Sequence, residues 1–211
     1  MRTGVILAGG YSTRFGEADK AFSHIDGTPL IRHVADRLRP VIDTLVINAR
    51  EDQHERFANV MDGYPLEVTY AIDDVAGGGP VSGMATGLSV VPEGTALAFV
   101  VACDMPFVEA DLVDALFELA EAEADVGAVV PTSSDGWHQV LHAVYRPAPT
   151  IDACRAAIAR DERKVLAPLS RLHVRYVDPD ELTQYGGERS FENVNTPGEL
   201  EAAAAALQST E

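Results

Sequence analysis

The chain predicts an α/β protein of three layers, α/β/α, built on a mostly parallel twisted sheet. Two observations carry this expectation. Short aliphatic runs, at 3–8 and 96–102 above all, are nearly continuous, as strands covered on both faces are. Helix-like stretches separate such runs, and the alternation repeats at least four times from the start of the chain. Right-handed crossovers follow from that order. The length of 211 residues suits one domain spanning 1–211, and 46% hydrophobic content suffices for a full core. With 7% aromatic residues, the packing must be largely aliphatic.

Thr3 to Ala8 reads as a central parallel strand that stops at Gly9-Gly10. Thr28-Pro29 is expected to open a helix, with Thr28 as cap and Pro29 in the first turn. Leu30, Ile31, Val34 and Leu38 then recur at helical spacing, and Pro40 ends the helix. A second strand, 43–49, ends at Asn48; a short helix covers 52–60; a third strand, 66–72, ends in Asp73-Asp74. Gly77 to Met84 is a second glycine-rich loop, leading into a helix through Val90. The most apolar strand, 96–102, ends in Cys103-Asp104-Met105-Pro106. An amphipathic helix follows at 109–123, with Leu112, Leu116 and Leu119 along one face. Strands are expected at 126–130, 140–145 and 174–177, and helices at 150–160 and 165–172. Phe191 to Pro197 turns into a last, Ala-rich helix reaching about Leu207.

The net charge of −17 argues against nucleic acid and anionic membranes as partners. It suits a protein adapted to high salt, because at about 1 M the Debye length is only about 3 Å. No apolar run approaches the roughly 18 residues of a membrane span, and the opening residues show no leader pattern. The expected location is the cytoplasm. Cys103 and Cys154 lie in apolar surroundings without CxxC spacing, and read as buried thiols.

In a sheet of this kind, ligands bind beyond the carboxyl ends of the strands. Gly9-Gly10, Asn48, Asp73-Asp74 and Asp104 each fall at such an end, so one rim would gather them all. Bare amides in the glycine loop, followed by Arg14 and Lys20, make a place for phosphate. Solvated loop charge is the plainer reading of those two cations. Lysine is scarce in this chain, however, occurring only at Lys20 and Lys164. Asp104 could simply cap the following segment. Beside a triphosphate loop it is the better candidate for Mg²⁺, which takes one or two carboxylates and shares phosphate oxygens and water. Phosphoryl and nucleotidyl transfer need alignment, a metal and cations rather than a covalent nucleophile. Lys20, Arg14 and Asp104 are therefore the candidate catalytic residues. Neither GxGxxG after the first strand nor GxxxxGK[ST] occurs. His138 and His142, four apart in an extended segment, would stand about 13 Å from each other, too far to share zinc.

These residues resemble those of the molybdenum cofactor guanylyltransferases, the MobA-like nucleotidyltransferases. The resemblance rests on Leu7-Ala8-Gly9-Gly10 with Arg14, Phe15 and Gly16, on Asp19-Lys20-Ala21, and on Gly27-Thr28-Pro29-Leu30. It continues through Gly79-Pro80-Val81-Ser82-Gly83-Met84, Cys103-Asp104-Met105-Pro106 and Asn193-Val194-Asn195-Thr196-Pro197. It implies a Rossmann-like nucleotidyltransferase fold. Residues up to about 105 would bind the nucleotide, and about 106–207 the acceptor. It implies GMP transfer from GTP to molybdopterin, giving the guanine dinucleotide cofactor and pyrophosphate. Leu7, Ala8, Gly9 and Gly10 would wrap the nucleotide, Lys20 would hold phosphates with help from Arg14, and Asn48 and Asp74 would lie near the nucleoside, with Asp73 the alternative to Asp74 one residue away. Asp104 would bind Mg²⁺ and the nucleotide, and Asn193 and Asn195 would face the acceptor or the metal. Other cofactor-biosynthesis proteins and the molybdoenzymes that receive the product are the implied protein partners.

The sequence departs from the family at Phe15, often Met, at Val81-Ser82, often Leu-Ala, and at His138-Gln139, which some relatives have as His-Pro. Three other functions compete: cobinamide-phosphate guanylyl transfer, cytidylyl transfer on the same fold, and a silent nucleotide-binding adaptor. Asp-Lys-Ala and Asn-Thr-Pro favour the molybdenum reading. Cytidylyl relatives more often carry Ala in place of Gly9. Intact Asp104, Lys20 and Arg14 speak against an adaptor.

Overall fold

A computed structural model describes residues 1–10, 19–73, 78–185 and 188–208. The chain opens with β1 (Arg2–Leu7), whose Val5 and Ile6 are both fully buried but belong to hydrophobic clusters on opposite sides of the sheet. A small hairpin, β2 (His24–Ile25) and β3 (Thr28–Pro29), precedes α1 (Leu30–Leu38). Then come β4 (Thr44–Ala49), α2 (His54–Val60), β5 (Glu67–Ile72), α3 (Gly79–Ser89) and β6 (Leu97–Ala102). The C-terminal half holds α4 (Ala110–Ala122), β7 (Ala128–Pro131), β8 (His142–Tyr145), α5 (Pro147–Ile158), β9 (Val174–Val177), α6 (Pro179–Leu182) and α7 (Pro197–Gln208).

All strands but the hairpin join one sheet in the order β5-β4-β1-β6-β8-β7-β9. β1, β4, β5 and β6 run parallel, and β8 alone is antiparallel to both its neighbours, β6 and β7. The expected three-layer, mostly parallel sheet is therefore the one observed. One face packs Ile6, Leu45, Phe99 and Val129 under α1 and α4. The other packs Val5, Val46 and Val100 under α3 and α5. α7 closes over the hairpin instead, where Ile25, Leu30, Phe107, Val194 and Ala203 form a third cluster.

Three local expectations change. Thr28-Pro29 does not open α1; it is the second arm of the hairpin, and Pro29 is the residue before the helix, without a side-chain cap. The reason is Asp26-Gly27, both at positive φ (49° and 78°), which make the two-residue turn that Asp-Gly favours. Residues 165–172 are not an α-helix: a 3₁₀ turn at Ala167–Arg171 carries Pro168. The strand expected at 140–145 shortens to β8, and α6 is an additional short helix.

His142, on β8, is fully buried between Phe99 and Phe191, each ring edge-on at 5.0 Å. Its Nε2 lies 3.3 Å from Ser190 Oγ, and among the described residues Nδ1 has no partner. Burial pushes the ring from the ordinary 6.5 down to about 3. Between those values the unfolded chain takes up a proton that the native state refuses. His142 therefore contributes stability that is complete above about pH 6.5 and is lost as pH falls, at about 1.4 kcal/mol per unit. Denaturant unfolding of wild type and His142→Gln across pH 7 to 4.5 should show the gap between them narrowing by that slope. A gap that does not change with pH would show that the ring is not held neutral.

Candidate functional site

Register builds the site. Leu7 on β1 pairs with Asn48 on β4 and with Ala102 on β6, so three strand ends lie level. Backbone bonds carry the alignment one step further: Ala8 N–H donates to Asn48 O at 2.9 Å, Cys103 N–H to Leu7 O at 3.1 Å and Asp73 N–H to Ala49 O at 2.9 Å. Beyond these ends lies a cavity of about 290 Å³. Its wall includes Leu7, Gly9, Gly10, Asn48, Asp73 and the start of α3 at Gly79. Of the residues expected on one rim, Gly9, Gly10, Asn48 and Asp73 line this cavity together.

Asn48 is almost wholly buried there, and its Nδ2 donates to Ala71 O at 3.1 Å and to Asp73 Oδ1 at 2.8 Å. Two glycines make room for this pair. A Cβ on Gly9 would stand 2.5 Å from Asp73 Oδ2, and one on Gly83 would stand 2.5 Å from Asn48 Oδ1. Alanine at either position would push the polar pair out of line.

Beside the cavity, three distant segments meet. Lys20 Nζ donates to Asp104 Oδ2 at 2.8 Å and to Asn195 Oδ1 at 3.0 Å, partners 84 and 175 residues away in sequence. The Lys20 side chain is 9% exposed and that of Asp104 is 23% exposed. Among the described residues, the other carboxylate oxygen of Asp104 is buried and has no hydrogen-bond partner. A buried carboxylate oxygen left unmatched is costly unless a cation serves it. No group of three His, Cys, Asp or Glu side chains is placed to hold a metal among the described residues. A cation at Asp104 would find an oxygen ligand there, the kind that hard divalent ions take.

Each member is fixed locally. Asp104 follows β6, and its carbonyl accepts from Val194 N–H at 2.8 Å, which draws the 193–195 segment alongside. Asn195 sits at the mouth of α7, where Glu199 accepts from the amides of Asn195 and Thr196 while Thr196 Oγ1 accepts from Glu199 N–H. That is a capping box, with Pro197 at the first helical position. The Asn-Thr-Pro sequence is thus largely a helix start that presents Asn195. Lys20 opens a 3₁₀ turn capped by Asp19, whose Oδ1 accepts from Ala21 N–H. Oδ2 of Asp19 accepts from Arg50 at 3.1 Å and Gln53 at 2.5 Å.

Leu7, Gly9, Gly10 and Asn48 thus line one cavity and Ala8 is buried, while Lys20 joins Asp104 and Asn195 just past the end of β6. Asn193 is not drawn in: it is exposed and donates to Phe191 O at 3.4 Å. Arg14 and Asp74 lie outside the described residues, while Asp73 lines the cavity. Burial, with Asp104 beside it, pushes the half-buried Cys103 thiol well above its ordinary range, which disfavours the thiolate. Sequence reasoning missed Arg50 and Gln53, although a cation just past a strand end on the ligand rim was a signal for the first.

Comparison with known proteins agrees with this fold. Residues 4–174 match the MobA-like NTP transferase domain. The chain belongs to the MobA-like NTP transferase family. A "probable molybdenum cofactor guanylyltransferase" of Natronomonas pharaonis is 45% identical over 202 residues, covering 96% of each chain. The molybdenum cofactor guanylyltransferase of Vibrio cholerae is 34% identical over 199 residues, covering 93% of this chain and 88% of that one. Among solved structures, the molybdopterin-guanine dinucleotide biosynthesis protein A of Archaeoglobus fulgidus superposes with a TM-score of 0.79 at 27% identity. It covers 99% of this chain and 100% of that one. As a MobA-like transferase the chain has the family's sheet, and none of its described helices is long and apolar enough to cross a membrane.

Proposed function

We propose that this protein transfers the guanylyl group of GTP to the terminal phosphate of molybdopterin, releasing pyrophosphate. The observation that carries the reading is the meeting of Lys20, Asp104 and Asn195 beside the glycine-loop cavity. In the reaction an acceptor phosphate oxygen bonds to the α-phosphorus of GTP, and the bond to the bridging oxygen of the β-phosphate breaks. The loop amides of Gly9 and Gly10 hold phosphate oxygens, and Lys20 supplies a compact positive charge to them. Asn48 and Asp73, on the cavity wall, offer polar groups to the nucleoside. Asp104 would hold Mg²⁺ through its unmatched oxygen. The chemistry that ion supplies when bound is neutralisation of charge on the reacting and leaving phosphates.

The C-terminal part receives the acceptor in this reading. A second cavity, of about 310 Å³, is lined by Leu112, Thr132, Ser134, Leu182, Glu188 and Phe191 among others. From Phe191 the chain reaches Asn195 in four residues, a span of at most about 14 Å. The acceptor's ring system could lodge there while its phosphate meets Lys20.

The test is incubation in high salt with each nucleoside triphosphate, Mg²⁺, and molybdopterin or cobinamide phosphate, with pyrophosphate as readout. Release with GTP and molybdopterin alone supports the proposal. Release with CTP, or only with the cobinamide, replaces it with a sister activity. GTP binding without release points to an adaptor. Omitting Mg²⁺, or replacing it with Mn²⁺, settles which divalent ion serves.

A further inference from the structure

We infer that Arg50 and Gln53 are positioning residues for the triphosphate, clamping the glycine loop from behind so that its amides face the cavity. The inference rests on the nucleotide reading above, but its residues were no part of it. Arg50 follows β4 directly and starts the turn that carries Gln53. Its Nη1 donates to Gly9 O at 3.3 Å and to Gly10 O at 3.0 Å. Its Nη2 donates to Asp19 Oδ2 at 3.1 Å. Gln53, 1% exposed, donates from Nε2 to Ala8 O at 3.1 Å and to the same Asp19 oxygen at 2.5 Å. The two clamps brace each other, since Arg50 N–H donates to Gln53 Oε1 at 2.9 Å. Three consecutive carbonyls and the carboxylate next to Lys20 are thus held by one turn. These contacts hold Ala8, Gly9 and Gly10 on one side and Asp19 on the other.

The consequence follows from peptide geometry. In a trans peptide the carbonyl and the next N–H point opposite ways, and no described peptide is cis. Holding the Ala8 and Gly9 carbonyls toward Arg50 and Gln53 turns the amides of Gly9 and Gly10 away from them. Both glycines line the cavity, and neither Arg50 nor Gln53 does. Two glycines in sequence would otherwise be free to rotate, and a phosphate would have to order them on binding. A planar fork can meet several acceptors in fixed directions, which a lysine ammonium cannot. Asp52, which accepts from Arg50 Nε at 3.0 Å, aims the fork from the solvent side.

The experiment compares binding of GTP with binding of guanosine, both with Mg²⁺, to the full chain by calorimetry. In Arg50→Lys, GTP should bind about ten- to a hundredfold more weakly while guanosine binds as in wild type. Unchanged GTP affinity would overturn the clamp. Equal losses for GTP and guanosine would also overturn it, since they would mark a general deformation of the site. If Arg50→Lys does not fold, Gln53→Met removes the hold on Ala8 together with the bonds to Asp19 and the Arg50 amide, leaves the Arg50 bonds to Gly9 and Gly10, and is read by the same comparison. A wild type that prefers another base would overturn the guanylyl reading only. The clamp is then judged with that base's triphosphate and nucleoside.

Discussion

Asp104→Asn should lower kcat/KM for guanylyl transfer at least about a thousandfold, roughly 4 kcal/mol of transition-state stabilisation. The substitution keeps the shape of the side chain and an oxygen for Lys20. It removes the charge that would hold the metal and leaves the buried Lys20 ammonium without its carboxylate, 2.8 Å away in the native protein. Breaking one side of a buried pair costs stability, so the variant should also melt lower, though it should remain folded. Initial rates of pyrophosphate release and a thermal melt measure the two effects separately. Turnover within tenfold of wild type would show that Asp104 does not hold the metal.

Lys20→Met should cost kcat/KM about a hundredfold or more, because it withdraws a positive charge from phosphates in a site largely shielded from water. Its effect on stability should be smaller than that of Asp104→Asn. The partner it leaves behind, Asp104, is 23% exposed and can be hydrated, whereas Lys20 is 9% exposed and cannot. Lys20→Arg should not restore activity, since the longer, planar group does not fit where a compact ammonium sits between Asp104 and Asn195. The double variant Lys20→Met/Asp104→Asn should recover stability relative to Asp104→Asn and recover no activity. Additive stability losses in that cycle would mean that the two side chains are not coupled.

The sheet was legible because its strands announce themselves. Val5-Ile6 and Phe99-Val100-Val101 face both ways into core, and only a strand covered on both sides has such a pattern. The rim was legible for the same reason: polar residues that interrupt such runs at Asn48, Asp73 and Asp104 must stand where strands end. The antiparallel insertion of β8 was not legible. His142-Ala143-Val144-Tyr145 is as buried as any parallel strand, and burial carries no direction. The hairpin was missed because Pro29 before an amphipathic run mimics a helix start, while the Asp26-Gly27 turn signal before it was outweighed. Lys20 and Asp104 could be singled out by type and place. Arg50 could be placed just past a strand end, but what it and Gln53 hold is largely backbone, and a carbonyl has no letter in the sequence. Asn195 could be read as a motif residue, but its bond to Lys20 depends on the Val194–Asp104 backbone bond that draws its segment alongside β6.

The Lys20–Asp104 contact separates the protein into two electrostatic regimes. Mutual repulsion among the surface groups behind the net charge of −17 acts over many ångströms through solvent, and dissolved ions damp it. A contact of 2.8 Å between a buried ammonium and a half-buried carboxylate leaves no room for an ion atmosphere between them. The site is thereby insulated from the ionic strength that tempers the rest of the molecule. With no substrate bound, each of the two charges serves as the other's counterion. In the proposed reaction, substrate arrival would bring phosphate to Lys20 and a metal to the other oxygen of Asp104, so each charge would gain a second partner beside the one it already has.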